Sequence, residues 1–412
     1  MDRISSLPNH VIEAILKCLS LRDAVRTSIL SRAWRDELCR VSQLVFDRET
    51  FPLLKGQGQK EYDKELVRVV DQVLLLHQGP IIRFKLSVDL TSDPNIDRWI
   101  RYLSRHGVVE LILEIWNGWH YTLPSCFFMC REITYLKLYR CKFYPPPSFN
   151  GFKKLTVLDL KDVATSDEEL GRLLSLCPLL RKLVLENVDC TTLRISNQKL
   201  VELSVVGQQI LLYLESTPLL AIASITFSSC DEVEDGMVED GMVPNIVNLL
   251  GNLPSIERLE LFQCTLEALS IGDVPVSLPI LCPLRHLSMN INFGNMRELL
   301  AAFCIFRSSF VLEKLDIEVA YLNTEGGMSA DDFCQAQEEF SCNFTRLRTV
   351  EVEGFTGSSS ELKFIAIILA NAPLLEIVQI KFEDDGPGEA KILRQLVRLR
   401  RSSVKAEIIV PE

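Results

Sequence analysis

Long hydrophobic runs are missing from this sequence. The longest uninterrupted apolar segment, Leu299–Phe306, has eight residues, whereas a helix that crosses a bilayer needs about 20. Charges at Asp2, Arg3 and Glu13 interrupt any apolar segment of the kind found in a signal peptide. We therefore expect no membrane association and a location in the cytoplasm, the nucleus or both.

An excess of positive charge is also missing. The chain has 44 Lys and Arg against 55 Asp and Glu, a net charge of −11 and a pI of about 5.2. This balance argues against broad binding to nucleic acid or to an anionic membrane surface. The apolar fraction of 47% excludes disorder over the whole length.

Catalytic and metal-binding motifs are absent too. None of the five histidines has a metal-ligand or catalytic spacing, and no nucleophile-elbow, zinc-protease or phosphate-loop motif occurs. The sequence has thirteen cysteines but no Cys-x-x-Cys motif. The closest pair, Cys126 and Cys130, has no histidine partner at zinc-finger spacing. We expect no enzyme activity, no cofactor, no metal and a reducing compartment.

A repeat fills most of the chain. Copies of the pattern apolar-x-x-apolar-x-apolar start at Ile81, Val108, Ile133, Leu155, Leu180, Leu200, Leu220, Ile256, Leu284, Leu312, Leu347 and Leu375. Most intervals fall within the range of about 20–29 residues that is typical of leucine-rich repeats. Helical segments lie between several copies, and prolines such as Pro178, Pro218 and Pro373 end them. The pattern predicts a curved α/β solenoid with a parallel sheet on the concave face and helices on the convex face.

An acidic segment lengthens one repeat. Asp231–Val243 contains a tandem duplication of Glu-Asp-Gly-Met-Val. It has the glycine of a calcium loop, but Val233 and Met242 occupy positions that need ligands. We interpret it as a solvated acidic loop.

The spacing of apolar residues in the first 47 positions predicts three short helices. Pro8 is placed to open the first, and an apolar stripe follows along it. Ala24–Leu30 forms a second short helix, and Ser31 is a candidate N-cap for a third that carries Trp34 and Leu38. Such a small module buries little surface by itself, so part of its apolar face either packs on the rest of the chain or binds a partner.

The same segment resembles a plant F-box. The resemblance rests on Leu7-Pro8, Val25-Arg26-Thr27-Ser28, Leu30-Ser31 and Trp34-Arg35. It implies docking of a Skp-type adaptor, and through it a cullin scaffold, by exposed apolar positions. These positions are Leu7, Pro8, Ile12, Ile15, Leu16, Val25, Leu30 and Trp34. Asn9 and Leu38 depart from the family pattern, which has an acidic residue and a second Trp at those places.

The C-terminal segment resembles the FBD domain of plant F-box proteins. Residues 340–412 continue the alternation of strands and helices, and Ala406–Val410 is predicted as a closing strand. Glu389–Ser402 is predicted as a helix with Lys391, Arg394, Arg398 and Arg401 on one face. We interpret this basic stripe as a solvated face, and the alternative is a docking patch. The predicted domains are an F-box at 1–47, a linker and capping helix at 48–80, leucine-rich repeats at 81–339 and an FBD domain at 340–412.

The binding surface is predicted on the concave face, because alternate strand residues point away from the core. The candidate substrate-binding residues are Lys137, Tyr139, Lys161, Glu260, Phe262, Asp316, Glu318, Glu351 and Glu353. The acidic half of this set is predicted to receive a basic segment of a protein target; the alternative is that these positions are polar for solubility.

Taken whole, the chain resembles a plant F-box/FBD/LRR-repeat protein. The resemblance implies the substrate receptor of an SCF-type (Skp–cullin–F-box) ubiquitin ligase, with no catalysis of its own. Two alternatives stay open. One is a small-molecule hormone receptor that uses Lys137, Tyr139 and Lys161, and the other is a scaffold without ubiquitin chemistry.

Overall fold

The computed structural model of the protein describes most of the chain. The described residues are 7–19, 23–24, 27, 32–50, 58–89, 94–116, 120–207, 210–227, 249–263, 265–266, 281, 283–320, 344–383 and 389–411. The chain divides into two compact units, Met1–Cys190 and Thr191–Glu412. Each unit combines parallel strands with helices, so the predicted α/β class is confirmed.

Three helices open the first unit in its described part. They are α1 (Asn9–Cys18), α2 (Arg32–Leu38) and α3 (Gln59–Leu76). Pro8 takes the N-cap position of α1, and its carbonyl oxygen accepts a hydrogen bond from the Val11 N–H at 2.9 Å. In α3 the buried residues recur every four positions, at Tyr62, Leu66, Val70 and Leu74, which gives one apolar stripe. The helix predicted over 24–30 lies largely outside the described residues.

The sheet of the first unit contains six parallel strands. The strands of this unit are β1 (Gln43–Phe46), β2 (Arg83–Val88), β3 (Glu110–Ile115), β4 (Tyr121–Thr122), β5 (Tyr135–Tyr139), β6 (Cys141–Lys142), β7 (Val157–Lys161) and β8 (Lys182–Glu186). The sheet order is β1-β2-β3-β5-β7-β8, and β4 pairs separately with β6. Helices α4 (Pro94–Arg105) and α5 (Asp167–Ser175) and a 3-10 helix, Ser125–Met129, lie between strands in the sequence.

Alternation of apolar and polar residues explains how these strands are buried. In β7, Leu158 and Leu160 are fully buried, while Asp159 and Lys161 stay partly exposed. Burying one such leucine contributes about 1.5–3 kcal/mol. Because each repeat supplies the same two buried positions, stacked strands form a continuous core on one side and a polar face on the other.

Residues in the left-handed backbone conformation follow three neighbouring strands of the sheet in the first unit. Arg140, Asp162 and Asn187 directly follow β5, β7 and β8 and have φ angles of 56°, 50° and 50°. The residue after each of them, Cys141, Val163 and Val188, is buried. The left-handed turn therefore redirects each strand end into the core, where asparagine and aspartate bear the strain best.

The second unit contains eight parallel strands in its described sheet. Its strands are β9 (Thr192–Ser196), β10 (Glu202–Gly207), β11 (Leu211–Ser216), β12 (Ile222–Phe227), β13 (Arg258–Gln263), β14 (His286–Ile291), β15 (Lys314–Val319), β16 (Thr349–Phe355), β17 (Ile377–Phe382) and β18 (Glu407–Ile409). The sheet runs from β10 through β12 to β18 in sequence order, and β9 pairs separately with β11. The longer helices are α6 (Met296–Arg307), α7 (Ser359–Asn371) and α8 (Glu389–Val397).

Three helices begin with the same capping arrangement. A serine or asparagine caps the helix, and a glutamate three residues later bonds back to it. The pairs are Ser166 with Glu169, Asn295 with Glu298, and Ser358 with Glu361. This capping box satisfies N–H groups that the first helical turn leaves without partners.

All twelve strands expected from the repeat pattern are confirmed. Each pattern copy coincides with one of the sheet strands from β2 to β17, and the closing strand is present as β18. The first sheet strand was missed, because β1 lies inside the segment assigned to the F-box. It pairs with β2 in parallel register, Leu44 opposite Phe84.

The last helix begins at Glu389 as predicted, but its predicted end was wrong. Helix α8 ends at Val397 rather than Ser402. The following turn is held against α7, since the Ser402 N–H and Oγ both donate to the Leu369 carbonyl oxygen. Arg401 instead donates to the Ala406 carbonyl oxygen at 2.7 Å. Arg398 and Arg401 lie beyond the end of α8, so the predicted basic stripe does not continue along one helix.

Candidate binding surfaces

The F-box segment has a small core of its own. Ile12, Leu16, Ala24 and Trp34 form one buried cluster, in which none is more than 3% exposed. Five partly buried apolar residues pack around it: Leu7, Leu19, Ala33, Leu38 and Val41. Leu38, which stands where the family has a second Trp, thus packs against the cluster.

The predicted adaptor-binding residues differ in how much of each side chain is exposed. Ile12, Leu16 and Trp34 were expected to be exposed, but they form the buried cluster and hold α1 and α2 together. Pro8 is exposed, and Ile15 is 36% exposed. Leu7 is half-buried, and Val25 and Leu30 lie outside the described residues.

Pro8 and Ile15 lie on the same side of α1. They are seven residues apart, close to two turns of an α-helix. His10, in contrast, is exposed but projects about 140° away from Ile15 around the helix axis. The side of α1 that carries Pro8 and Ile15 is the apolar surface that the described F-box residues offer to a partner.

Hydrogen bonds join the F-box segment to the first strands. His77 Nε2 lies 3.0 Å from the Val41 carbonyl oxygen, and the Gln78 N–H donates to the Cys39 carbonyl oxygen at 2.8 Å. The Ile82 N–H donates to the Ser42 carbonyl oxygen. These bonds fix the end of α3 and the start of β2 against the residues that follow α2.

The polar face of the first unit is a network of ion pairs. Lys137 Nζ lies 2.6 Å from Glu114 Oε1, and Lys161 pairs with Glu186 on the neighbouring strand. Two of the three candidate residues for a small molecule are therefore already matched by carboxylates. The third, Tyr139, packs its ring on Trp116 with ring centroids 4.6 Å apart.

Trp116 is a candidate surface residue that the sequence reasoning missed. It is 46% exposed, and its indole N–H donates to Ser87 Oγ at 3.1 Å. Arg140 donates to its carbonyl oxygen at 2.8 Å. Trp116 lies just after β3, outside the repeat pattern. The one sequence signal for a surface role was a tryptophan at the predicted end of a strand.

Asp159 lies in the middle of this face and is poorly solvated. It is half-buried opposite Lys137 in the β5–β7 register, and its Oδ1 finds no hydrogen-bond partner among the described residues. Burial raises the pKa of this carboxyl, and the charges of Lys137 and Lys161 offset burial only in part. A destabilised carboxylate on an accessible face is typical of a functional position.

We expect Asp159→Asn to stabilise the first unit by about 0.5–2 kcal/mol at neutral pH. A carboxyl whose folded pKa is raised costs stability once the pH exceeds its unfolded pKa of about 3.9, and the cost grows until the folded pKa is passed. The gain should therefore be larger at pH 7.5 than near pH 4. Urea unfolding followed by tryptophan fluorescence measures it, because all four tryptophans precede Cys190.

Asp162→Asn is the matched control for this experiment. Asp162 follows the same strand, but its carboxylate pairs with Arg140 at 3.1 Å and with His120 at 3.2 Å. Its substitution should leave stability unchanged or lower it. Equal stabilisation by both variants would contradict the assignment of Asp159 as the unfavourable group.

The predicted acidic residues of the second unit share one polar face. The strand register aligns Glu260, Ser288, Asp316, Glu351 and Gln379 in one row. A second row contains Asn290, Glu318 and Glu353. The register between β13 and β14 ends at Leu261 and Met289, so Phe262 lies on β13 beyond the paired part of these two strands. The spacing between neighbouring strands places residues of one row about 5 Å apart.

Most of these acids have partners on the same face. Lys314 Nζ lies 3.2 Å from Asp316 Oδ1 and 3.0 Å from Glu351 Oε1. His286 Nε2 lies 2.5 Å from Asp316 Oδ2, and Glu353 pairs with Lys381. Burial raises the pKa of Asp316, but the hydrogen bonds and charges of His286 and Lys314 outweigh it and lower the pKa overall. The face is therefore less negative than its acids alone suggest.

Glu318 is the acid of this face that is most available to a partner. It is exposed, and its carboxylate accepts a hydrogen bond from the neutral Asn290 Nδ2 at 2.9 Å. Glu260 and Phe262 on β13 are half-buried. Among the residues that the structure describes, Glu260 and Glu318 form no ion pair.

Comparison with known proteins assigns both parts of the chain. The F-box domain family matches residues 4–43, and the family described as "At1g61320/AtMIF1, LRR domain" matches residues 76–395. The F-box/FBD/LRR-repeat protein At1g13570 of Arabidopsis thaliana is 33% identical over 99% of this chain and 98% of its own length. This chain belongs to the F-box/FBD/LRR-repeat family.

Other Arabidopsis thaliana relatives of this F-box/FBD/LRR-repeat protein agree with that assignment. The probable FBD-associated F-box protein At1g32375 is 27% identical over 99% of both chains. The F-box/LRR-repeat protein At4g14103 is 27% identical over 71% of this chain and 85% of its own length. The repeat family match continues to residue 395 and so covers much of the segment predicted as an FBD domain, whose boundary stays a prediction.

Buried thiols account for several cysteines of this F-box/FBD/LRR-repeat protein. Burial raises the pKa of Cys130 and Cys141 to about 12 and that of Cys177 and Cys190 to about 11. These groups act as small apolar core residues. In the described ranges, no group of histidine, cysteine and acidic residues could hold a metal ion, and no helix is long and apolar enough to cross a membrane.

Proposed function

We propose that this F-box/FBD/LRR-repeat protein is the substrate receptor of an SCF-type ubiquitin ligase. Its F-box docks a Skp-type adaptor, which in turn binds a cullin, and its repeats hold a protein target. The chain performs no catalysis; it acts by raising the effective concentration of the target near the ubiquitin-charged enzyme. Such a role places it in the cytoplasm, the nucleus or both.

One observation supports this function above the others. The F-box match at 4–43 coincides with a module that keeps a core of its own while Pro8 and Ile15 leave an apolar surface on α1. The family match carries the argument for docking, and Pro8 and Ile15 are the exposed apolar positions of α1 through which we propose that the adaptor binds. The hydrogen bonds from His77 and Gln78 give the F-box a fixed connection to the first repeat strands.

We expect Ile15→Glu to weaken binding of a Skp-type adaptor at least about tenfold, since it places a charge in an apolar contact. The measurement is a titration of the purified full chain with the adaptor. His10→Glu is the matched control, because it introduces the same charge on the same helix away from Ile15. Equal affinity of wild type and Ile15→Glu would reject docking through this surface.

A protein target fits the polar faces better than a small molecule. Lys137 and Lys161 are held by Glu114 and Glu186, so the basic ring that an anionic hormone needs is already neutralised. We propose that the face of the second unit receives a basic segment of the target through Glu260 and Glu318, beside Phe262. The ion-paired acids Asp316, Glu351 and Glu353 position Lys314 and Lys381 at its border.

Charge reversal at the two less neutralised acids tests this proposal. We expect the double variant Glu260→Lys with Glu318→Lys to lose most of the proteins that wild type labels in a proximity-labelling experiment in plant cells. Lys199→Glu, which reverses an exposed charge elsewhere, should leave the labelled set unchanged. An unaltered set in the double variant would reject this face as the target site.

A further inference from the structure

A groove in the first unit lies apart from the F-box and from the polar face. It is formed by the 3-10 helix Ser125–Met129 and by the loops that precede β5 and β7. Its volume is about 750 Å³, within the range of about 300–1,000 Å³ that is typical of ligand sites. Every lining residue belongs to the described part of the chain.

The floor of this groove is apolar. Phe128 and Phe149 line it with ring centroids 5.2 Å apart, and both belong to a cluster of five phenylalanines. The cluster consists of Phe127, Phe128, Phe143, Phe149 and Phe152. Met129 adds a side chain that is 62% exposed. Flexible, exposed methionines next to aromatic rings adapt well to apolar side chains of a partner.

The rim of the groove is basic, although the chain as a whole carries a net charge of −11. Arg131, Lys153 and Lys154 line it, against a single carboxylate, Glu132. Lys154 and Glu132 form a surface pair at 2.5 Å, and such exposed pairs exchange partners at little cost. Arg131 forms no ion pair with any residue that the structure describes.

The walls of the groove are held in place. Arg172 Nη2 donates to the carbonyl oxygens of Pro146, Pro147 and Phe149 at 2.8, 3.2 and 3.2 Å. Gly151 has a φ of +86°, and a Cβ there would collide with the Leu176 carbonyl oxygen. A wall fixed in this way loses little conformational entropy on binding.

We propose that this groove docks an acidic segment of a partner protein that inserts a large apolar side chain. The apolar floor takes the side chain, and the basic rim pairs with acidic residues on either side of it. A contact that combines a buried apolar anchor with complementary charges gives both affinity and specificity. The groove is a third protein-binding site, in addition to the proposed adaptor surface and the proposed target face.

Binding of labelled peptides to the full chain tests the proposal. The probe is a short fluorescein-labelled peptide in which aspartates and glutamates flank a Leu-Phe pair, and anisotropy reports binding. Arg131→Glu with Lys154→Glu, and separately Met129→Ala, should each raise its Kd about tenfold. These residues are exposed, so the variants should keep the wild-type tryptophan fluorescence. Lys199→Glu, on an exposed position of the second unit, should bind like wild type.

Two further probes separate the proposed partner from other anionic ligands. A polyglutamate peptide without apolar residues and a single-stranded DNA of equal charge should both bind at least about tenfold more weakly than the Leu-Phe peptide. Equal or tighter binding of either probe would overturn the proposal. Absence of Leu-Phe peptide binding to wild type, or an equal loss in Lys199→Glu, would overturn it as well.

Discussion

Glu361→Ala is expected to lower the free energy of unfolding of the second unit by about 2–4 kcal/mol. Glu361 is 3% exposed at the start of α7, and its carboxylate accepts four hydrogen bonds. Two come from the N–H groups of Thr356 and Gly357 at 2.8 and 2.9 Å. The other two come from the hydroxyls of Thr356 and Ser358 at 2.6 and 2.8 Å. Removing the buried carboxylate takes the partner from four hydrogen bonds that are only partly exposed to solvent.

Glu169→Ala provides the matched comparison for Glu361→Ala. Glu169 occupies the same place in the capping box of α5, but its bonds with Ser166 are exposed to solvent. Its loss should cost only about 0.5–1 kcal/mol. Hydrogen exchange measured by mass spectrometry reports both variants, through the amides of 356–371 and 167–175. Similar losses of protection in the two helices would contradict the role assigned to burial.

Trp34→Ala is expected to destabilise the F-box segment by about 3–5 kcal/mol, the usual cost of removing a large buried aromatic side chain. Trp34 is 3% exposed and completes the cluster with Ile12 and Leu16. Because a module of this size has little stability to lose, α1 should lose hydrogen-exchange protection and adaptor binding should disappear with it. The repeat strands β7 and β8 should keep their protection.

Trp34→Phe and Ile15→Glu separate the core role of Trp34 from direct contact with the adaptor. Trp34→Phe keeps an aromatic ring in the cluster and should recover most of the protection of residues 9–18. Ile15→Glu should abolish binding while that protection stays at the wild-type level. Full protection of α1 in Trp34→Ala, combined with lost binding, would show that Trp34 contacts the adaptor directly.

Periodicity made the repeat sheet predictable from the sequence. In β7 and β15, leucine or isoleucine at alternate positions is buried, as the pattern requires, and other repeat strands bury different apolar residues there, such as Val350 and Val352 in β16. Each strand needs only local information, since two apolar side chains must face the core wherever the strand lies. The helices α5, α6 and α7 were predictable for the same reason, and their N-termini carry capping residues.

Contacts between strands could not be predicted from spacing. Lys314 and Glu351 are separated by 37 positions in the sequence, and their pairing depends on the register of β15 with β16. The sequence therefore indicated an acidic face and missed its internal ion pairs. It also placed Ile12 and Trp34 among the exposed adaptor-binding positions, whereas both are buried in the F-box cluster, because a motif does not show which of its apolar residues face the core.

A tertiary contact explains why the end of the last helix was missed. The apolar spacing of Leu393, Leu396 and Leu399 continues past Val397, yet the helix stops there. Ser402 and Ser403 bond to carbonyl oxygens of Leu369 and Leu375 instead of continuing the helix. A tertiary interaction with α7 and the turn after it thus overrides the local pattern.

Capture of both adaptor and cullin from plant cells tests the central claim most directly. The full chain, tagged and expressed at the wild-type level, is compared with Ile15→Glu and His10→Glu. The proposed function predicts that wild type and His10→Glu capture a Skp-type adaptor together with a cullin, and that Ile15→Glu captures neither. Capture of neither protein by a folded wild-type chain would contradict the assignment as a ligase receptor and would leave the repeats as a scaffold.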